Sequence, residues 1–381
     1  MTRDLRHLIL SLGVWAMGEG MFLYIFPLYI RDLGATPAGI GGLLGIAGAS
    51  MAVLHLPAGY LADRFGRKPV MIAGWYLGLL AAVTMFLSPN LLMFSIGLTS
   101  YFATAFVTSA NHSYVTASRG SLSLERALML VTAAYGAGLI ISPALGGWIA
   151  SQTGLRSVFG WASLMLAASC AMLLPLSPQP VEPKKEERRY GRLLGSRTFL
   201  GLVVLVFGTI LAMYLGMPLA PNFLQQVRAV PVATIGLLGS ANALGLLLFS
   251  VVLGRRHPRW GWILGQVFVL GSALVLWLGA AVPLYFLGYF LRGGFGAAKG
   301  LATSQIGRVV DNHELGLAYA VTETASSAAI IIAPVVAGVL FERRPDFPFI
   351  VSAVLTAVSI LFTIRYAPAR DRHSQMPVEA G

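Results

Sequence analysis

Long apolar segments separated by short polar loops fill almost the whole chain. From Pro69 to Ser118 there is no Asp, Glu, Lys or Arg. This run is too long for one membrane crossing of about 20 residues, and Ser88-Pro89-Asn90 supplies a turn that divides it in two. Segments of this length and apolarity are typical of transmembrane helices.

The same pattern along the rest of the chain predicts an all-α membrane protein with twelve spanning helices in two six-helix bundles. The expected spans are 6–30, 37–62, 69–87, 91–117, 124–150, 156–176, 198–224, 232–254, 260–280, 283–307, 315–341 and 347–366. No segment has the short apolar core and small-residue cleavage site of a removable signal peptide. We therefore expect the first helix to remain as an anchor.

Composition and charge agree with a membrane protein. The 381 residues are 56% hydrophobic and 11% charged, and the mean hydropathy is +0.75, whereas a soluble domain carries about 25% charged residues. A net charge of +12 would suit nucleic-acid binding, but the cations lie in short loops between apolar runs. Twenty Lys and Arg fall on the side of the termini and five on the other. This asymmetry predicts cytoplasmic termini in a cell-membrane protein that binds no nucleic acid.

The two halves of the chain resemble each other. Gly42-Leu43-Leu44-Gly45 recurs as Gly236-Leu237-Leu238-Gly239, and Ser142-Pro143-Ala144 recurs in weaker form as Ala333-Pro334-Val335. The polar stretch between the halves, which holds Lys184-Lys185-Glu186-Glu187-Arg188-Arg189, has the composition of a linker. We expect an N-terminal bundle over 1–176, a cytoplasmic linker over 177–197, a C-terminal bundle over 198–366 and a cytoplasmic tail over 367–381. Parallel six-helix repeats are typical of transporters with a site near the membrane midplane.

The loop after the second expected span carries the most specific motif. Residues 59–68 read Gly-Tyr-Leu-Ala-Asp-Arg-Phe-Gly-Arg-Lys. A generic basic turn would need the cations but not Gly59, Asp63 and Gly66 at these spacings. The run resembles the loop signature of the major facilitator superfamily, Gly-x-Leu-Ala-Asp-Arg-x-Gly-Arg-Lys, between its second and third helices.

This resemblance implies a transporter that works by alternating access around a midplane site. It also implies that the loop is a conformational latch, formed by Gly59, Asp63, Arg64, Gly66 and Arg67. Asp63 lies at the negative end of a helix dipole and needs a partner there. The resemblance places that partner at the N-terminus of the eleventh helix, which carries the capping pattern Asp311-x-x-Glu314.

Small residues in the fifth span form a second motif. Gly138, Ser142, Pro143, Gly146 and Gly147 resemble the superfamily pattern Gly-x-x-x-Gly-Pro-x-x-Gly-Gly, which is common in exporters, with Ser142 at the central glycine. Small residues four apart let two helix backbones approach closely. The pattern therefore fits ordinary helix packing as well as an exporter.

Charged residues inside the spans are costly, so they mark a site or pair with one another. The candidates are Glu19, Arg292, Lys299 and Glu323, which Asn111 and His112 join from the fourth span. Arg292 begins a Gly-rich run that resembles a superfamily motif of the fourth helix, although it lies here in the tenth span. The superfamily lines its cavity with the first, fourth, seventh and tenth helices. We predict substrate contacts from all six residues, with a buried structural Lys299–Glu323 ion pair as the alternative for those two.

Glu19 is the candidate for proton coupling, with Arg292 tuning it across the cavity. Gly18 and Gly20 flank it in an otherwise apolar helix, and apolar surroundings favour a neutral carboxyl that can bind and release a proton near neutrality.

The expected function is proton-coupled efflux of a small, partly apolar compound by a monomer. A sugar or organic-anion carrier is the alternative, which two cations on one face of the tenth helix would suit. No phosphate-binding loop, catalytic cluster or metal-ligand spacing is present, and Cys170 is the single cysteine. We therefore expect no cofactor or metal and no enzymatic activity. A membrane-embedded receptor or enzyme is the alternative function from a class other than transporters.

Overall fold

The computed structural model describes residues 1–179, 196–310 and 315–368, and for 55–65, 109, 125 and 316 it describes the backbone alone. Every regular element in these ranges is helical, which confirms the predicted all-α class. The first eight α-helices are α1 Arg3–Leu23, α2 Phe26–Asp32, α3 Pro37–Phe65, α4 Arg67–Leu87, α5 Leu91–Ala103, α6 Val107–Ser118, α7 Leu124–Thr153 and α8 Leu155–Leu173. The others are α9 Arg197–Leu215, α10 Ala220–Gln226, α11 Val232–Gly254, α12 Pro258–Leu278, α13 Val282–Arg292, α14 Gly294–Ser304, α15 Leu315–Arg343 and α16 Phe347–Tyr366.

Polar side chains define where several helices begin. Thr2, Asn90, Ser123 and Ser196 each precede a helix, and each side-chain oxygen accepts a hydrogen bond from the backbone N–H three residues further on. These bonds satisfy amide groups that have no partner within the helix. The apolar segments therefore start close to the predicted boundaries.

The number of spans differs from the twelve expected. Within the described residues, nine helical segments are long and apolar enough to cross a membrane. The pairs α1–α2 and α5–α6, which bend by 43° and 41°, raise that number to eleven if each pair is one span. The expected tenth span, 283–307, consists of α13 and α14, which have 11 residues each. Neither half alone has the length of a membrane crossing.

Interrupted helices mark the first, fourth, seventh and tenth expected spans. The breaks lie at 24–25, at the 3-10 turn Thr104–Phe106, at 216–219 and at Gly293. Each of the other eight expected spans is a continuous helix where it is described. Pro27 and Pro221 are the second residues of equivalent short helices, each of seven residues, after the first and third breaks. The internal repeat of the sequence is therefore also a repeat of helix interruptions.

The chain forms two compact units. The first contains Met1–Lys185 with Leu219–Ala243, and the second contains Glu186–Pro218 with Leu244–Gly381. The segment 219–243 is hydrogen-bonded within the first unit: Asn222 Nδ2 donates to Pro27 O at 2.9 Å, and Tyr24 OH donates to Asn242 Oδ1 at 2.7 Å. The boundaries predicted for the bundles, linker and tail remain predictions.

In the first unit, α7 packs closely against α1 along its small residues. A Cβ at Gly138 would lie 2.7 Å from Gly13 O, and a Cβ at Gly146 would overlap the backbone of Met21. Ser142 lies between these glycines, fully buried, and its hydroxyl donates to Gly138 O at 2.7 Å. This face of α7 can therefore carry only small side chains.

The other face of the same motif packs against α11. A Cβ at Gly147 would lie 2.8 Å from Gly236 Cα, and Pro143 lies beside Gly239. The amide of Ala144 donates to Ser240 Oγ at 3.1 Å, outside the helical ladder that Pro143 weakens. The motif thus supports two helix contacts at once.

In the second unit, α9, α12, α14 and α15 enclose an apolar core. Its fully buried members include Val206, Ile210, Met213, Trp262 and Ala298. The amide of buried Gln266 joins α12 to α16 by donating to Thr363 Oγ1 at 3.0 Å.

Candidate functional site

A cavity of about 440 Å³ lies inside the first unit. Its walls come from α1 to α7, including both interrupted spans of that unit. Interrupted helices in corresponding positions of the two halves are the usual place of a transporter's binding site. The polar or aromatic residues that line this cavity are Trp15, Glu19, Phe22, Phe26, Trp75, Tyr101, Phe102, Thr104, Thr108, Asn111, His112, Thr132 and Tyr135.

Glu19 lines this cavity from a position near the C-terminal end of α1, four residues before Leu23. The hydroxyl of Tyr135, on α7, donates to Glu19 Oε2 at 2.6 Å. The neighbouring glycines determine the depth of α1, because a Cβ at Gly18 would lie 3.0 Å from Ala162 O and a Cβ at Gly20 would overlap Ser142 Oγ. The carboxyl group is therefore held by close contacts of α1 with α7 and α8.

Aromatic rings cover the wall next to Glu19. Trp15, one helical turn before Glu19, lies 5.1 Å from the Trp75 ring and stacks on Tyr101 at 6.0 Å. Phe22 meets Tyr101 edge-on at 4.9 Å. The Tyr101 hydroxyl is buried without a hydrogen bond of normal geometry. This wall suits an apolar or aromatic ligand.

Two buried serines hold the indole of Trp75 in this wall. Trp75 Nε1 lies 3.1 Å from Ser11 Oγ and 2.9 Å from Ser169 Oγ, and the two hydroxyls are 2.9 Å apart. Ser11 and Ser169 are fully buried. The network connects α1, α4 and α8, so the two serines orient the ring although neither of them lines the cavity.

Asn111 and His112 line the same cavity from α6, so the structure brings two further predicted residues together with Glu19. The Asn111 Oδ1 atom is buried and has no hydrogen-bond partner. His112 is exposed. Asn111 therefore presents a free acceptor to any ligand that reaches this side of the cavity.

Sequence reasoning missed the aromatic residues of the site. Trp15 precedes Glu19 by four positions and thus shares its helix face, which was a usable signal. No sequence signal indicated Tyr135 or Trp75, because single aromatic residues in apolar helices are more often part of the packing.

The remaining charged candidates belong to the second unit. Lys299 Nζ lies 2.6 Å from Glu323 Oε1, and the two side chains are 27% and 51% exposed. The alternative ion pair is therefore present, but it is not the buried pair considered from the sequence. Arg292 ends α13 with its guanidinium 5.3 Å from the Tyr289 ring centre, and its Nη1 atom is buried without a hydrogen-bond partner. The predicted coupling of Arg292 with Glu19 remains a prediction.

The loop signature is described from Gly66 onward. Gly66 is the single residue between α3 and α4, and its φ of 88° favours glycine. Arg67 Nη1 donates to Ser113 O at 3.2 Å and to Gln179 Oε1 at 3.1 Å, so it ties this turn to the end of α6 and to the segment after α8. Gly59 is described only as backbone within α3, whereas the side chains of Asp63 and Arg64 and the capping residues Asp311 and Glu314 lie outside the described residues.

Among the described residues, no group of three or more His, Cys, Asp or Glu could hold a metal ion.

The family model of the Major Facilitator Superfamily matches residues 8–227 and again 202–380. The chain belongs to the Major Facilitator Superfamily. It is therefore a multi-pass membrane transporter for a small molecule, and the resemblance inferred from the loop signature is confirmed.

Curated superfamily relatives share about a quarter of their residues with the chain. Multidrug resistance protein 1 of Bacillus subtilis (strain 168) is 23% identical over 96% of this chain and 97% of its own length. Enterobactin exporter EntS of Salmonella paratyphi A (strain ATCC 9150 / SARB42) is 25% identical over 76% of this chain and 73% of its own length.

A solved structure of a mutant of the nucleoside transporter NupG has the same fold. It superposes with a TM-score of 0.81 at 15% identity and covers 96% of this chain and 100% of its own. At this identity the likeness concerns the fold alone.

Proposed function

We propose that this superfamily member exports a small, partly apolar compound across the cell membrane in exchange for protons. Glu19 carries the coupling proton. The observation that carries the proposal is a single carboxyl in an aromatic cavity, hydrogen-bonded to Tyr135. Two relatives, named as a multidrug resistance protein and an enterobactin exporter, support the direction of transport.

The chemistry of the cavity suggests how exchange works. A carboxylate among apolar rings is unfavourable unless a proton or another cation neutralises it. A compound with an aromatic body and a basic nitrogen would stack on Trp15, Trp75 or Tyr101 and place its charge at Glu19. The proton and this compound would then compete for one carboxyl group. Such competition couples the movement of one to the movement of the other.

Arg292 completes the proposal. If this cation approaches Glu19 in one conformation only, the carboxyl loses its proton in that conformation and regains it in the other. A single acid and a single cation would then convert the alternating motion into proton movement.

An organic-anion or sugar carrier is the second candidate. The observation that favours it is the buried, unpartnered Nη1 atom of Arg292, which suits an anionic group. The two candidates differ in the charge of their substrates.

A ligand screen distinguishes these candidates. We would measure thermal shifts of the purified protein with aromatic amines, organic anions and sugars, and then test the strongest ligand in proteoliposomes with an imposed pH gradient. Export predicts stabilisation by amines and accumulation driven by the gradient. Stabilisation by anions or sugars alone would favour the carrier.

The charge asymmetry predicts cytoplasmic termini and a cytoplasmic linker. A cysteine in place of Ser196 should not react with an impermeant thiol reagent added outside intact cells. A cysteine in place of Val227, which is 48% exposed, is the matched control and should react strongly, while natural Cys170 is buried. Reaction at 196 with none at 227 would reverse the orientation.

Asp63→Asn should shift the resting conformation and reduce transport without unfolding the protein. The reason is that an acid at a helix C-terminus is unfavourable unless a partner meets it in one state. Spin labels on the cytoplasmic ends of the two bundles would measure the shift as a change of the distance distribution. Asp32→Asn, at an exposed acid of α2, is the control. Unchanged distances together with normal transport would remove the latch from the account.

A further inference from the structure

A second concave surface lies in the second unit, between α9 and α16, with a volume of about 750 Å³. One wall is a stripe of α9 that runs from Arg197 through Gly201, Val204 and Gly208 to Leu211. These positions recur at the helical period and so share one face. The stripe spans about 21 Å at 1.5 Å per residue. This exceeds the half-thickness of a hydrocarbon core that is about 30 Å thick.

Glycine forms the floor of this groove. Nothing lies within 4 Å of a Cβ built at Gly201 or Gly208, so the two positions open directly onto it. On the opposite wall, Val358 and Phe362 are 42% and 50% exposed. The hydroxyls of Thr209 and Ser359 satisfy each other at 2.6 Å. Because these two hydroxyls are hydrogen-bonded to each other, they need no partner in the groove. The groove therefore suits an apolar occupant.

One end of the groove is cationic. Arg197 lines it and is exposed, and Arg365 is exposed in the last turn of α16. Arg259 joins this end from α12 by donating to the carbonyl of Ile364. No Asp or Glu occurs in the described segments 196–200 and 362–368 that form this end. Clustered arginines at the end of membrane helices attract anionic lipid headgroups.

We propose that this groove binds one acyl chain of an anionic phospholipid, with the headgroup at Arg197. The chain lies over Gly201 and Gly208, and the arginines select an anionic headgroup over a zwitterionic one. The groove shares no lining residue with the aromatic cavity, so its test does not depend on the transported compound.

Native mass spectrometry of the purified full-length protein tests the proposal. The protein is incubated with equal amounts of phosphatidylglycerol and phosphatidylethanolamine that carry the same acyl chains. The wild type should retain phosphatidylglycerol severalfold over phosphatidylethanolamine. Arg197→Gln combined with Arg365→Gln should retain both lipids nearly equally, because the groove remains but its two exposed arginines are lost. Gly208→Leu, alone or with Gly201→Leu, should lose most of the bound lipid because the new side chain fills the groove.

Matched controls use equivalent residues outside the groove. Gly254→Leu, at another position with open space around its Cβ, and Arg255→Gln, at another exposed arginine, should behave as the wild type. Thermal midpoints show whether the leucine variants are folded. Equal retention of both lipids by the wild type, or wild-type retention by a folded Gly208→Leu variant, would overturn the proposal. Displacement of the lipid by the strongest ligand of the transport screen would assign the groove to substrate and would also overturn it.

Discussion

Glu19→Gln is expected to abolish accumulation of substrate driven by a pH gradient, down to the level of protein-free liposomes. Glutamine keeps the size of the side chain and can still accept the hydrogen bond of Tyr135, but it cannot bind or release a proton. Substrate binding or passive exchange should therefore persist. Accumulation and passive exchange are measured on the same proteoliposomes. A pH gradient drives the accumulation, and a substrate gradient alone drives the passive exchange.

Asp32→Asn is the control for this experiment, because it removes an exposed acid outside the spans and should transport normally. If Glu19→Gln still concentrated substrate against its gradient at a normal rate, Glu19 would not be the coupling residue. It would then be a substrate contact or a partner of Arg292.

Gly146→Leu should lower the thermal stability of the protein strongly. A Cβ at this position would overlap the Met21 backbone, which cannot move as a flexible side chain could. Forcing extra atoms into a packed contact costs about 1–3 kcal/mol and occasionally more, and we expect the upper part of that range. The measurement is the thermal midpoint and the monodisperse fraction of the protein purified in detergent.

Gly136→Leu is the matched control in the same helix, since nothing lies within 4 Å of a Cβ there. Leucine also has a higher helix propensity than glycine by roughly 0.8–1 kcal/mol, so this variant should be at least as stable as the wild type. Equal midpoints for the two variants would mean that the contact between α1 and α7 is not as close as described.

The sequence was informative wherever one residue type is unusual in its surroundings. An acid in an apolar helix identified Glu19, and the glycine, acid and cation spacing of residues 59–68 identified the superfamily. The small residues around Pro143 were recognised, although the sequence could not tell that Gly146 meets α1 while Gly147 meets α11. The helix that each glycine contacts is determined by tertiary packing, and a local sequence pattern does not contain that information.

The helix breaks show the same limit. Gly216 and Pro218 stand at the break between α9 and α10, yet glycine and proline are also common inside continuous membrane helices. Continuous hydropathy predicts a single helix for the tenth span, whereas the structure interrupts this span at Gly293. Likewise, Arg67 stood out as a cation of the loop, but its acceptor, the carbonyl of Ser113, is a backbone group that any sequence could supply.

Proton release on ligand binding tests the central claim most directly. The strongest ligand of the screen is added to purified protein in weakly buffered detergent solution across the neutral pH range, and a pH indicator reports the protons that leave the protein. If a cationic ligand and a proton compete for Glu19, the wild type releases a proton for each ligand bound, whereas Glu19→Gln releases none even at ligand concentrations that saturate it. Binding to the wild type without proton release, or equal release by Glu19→Gln, would contradict the account.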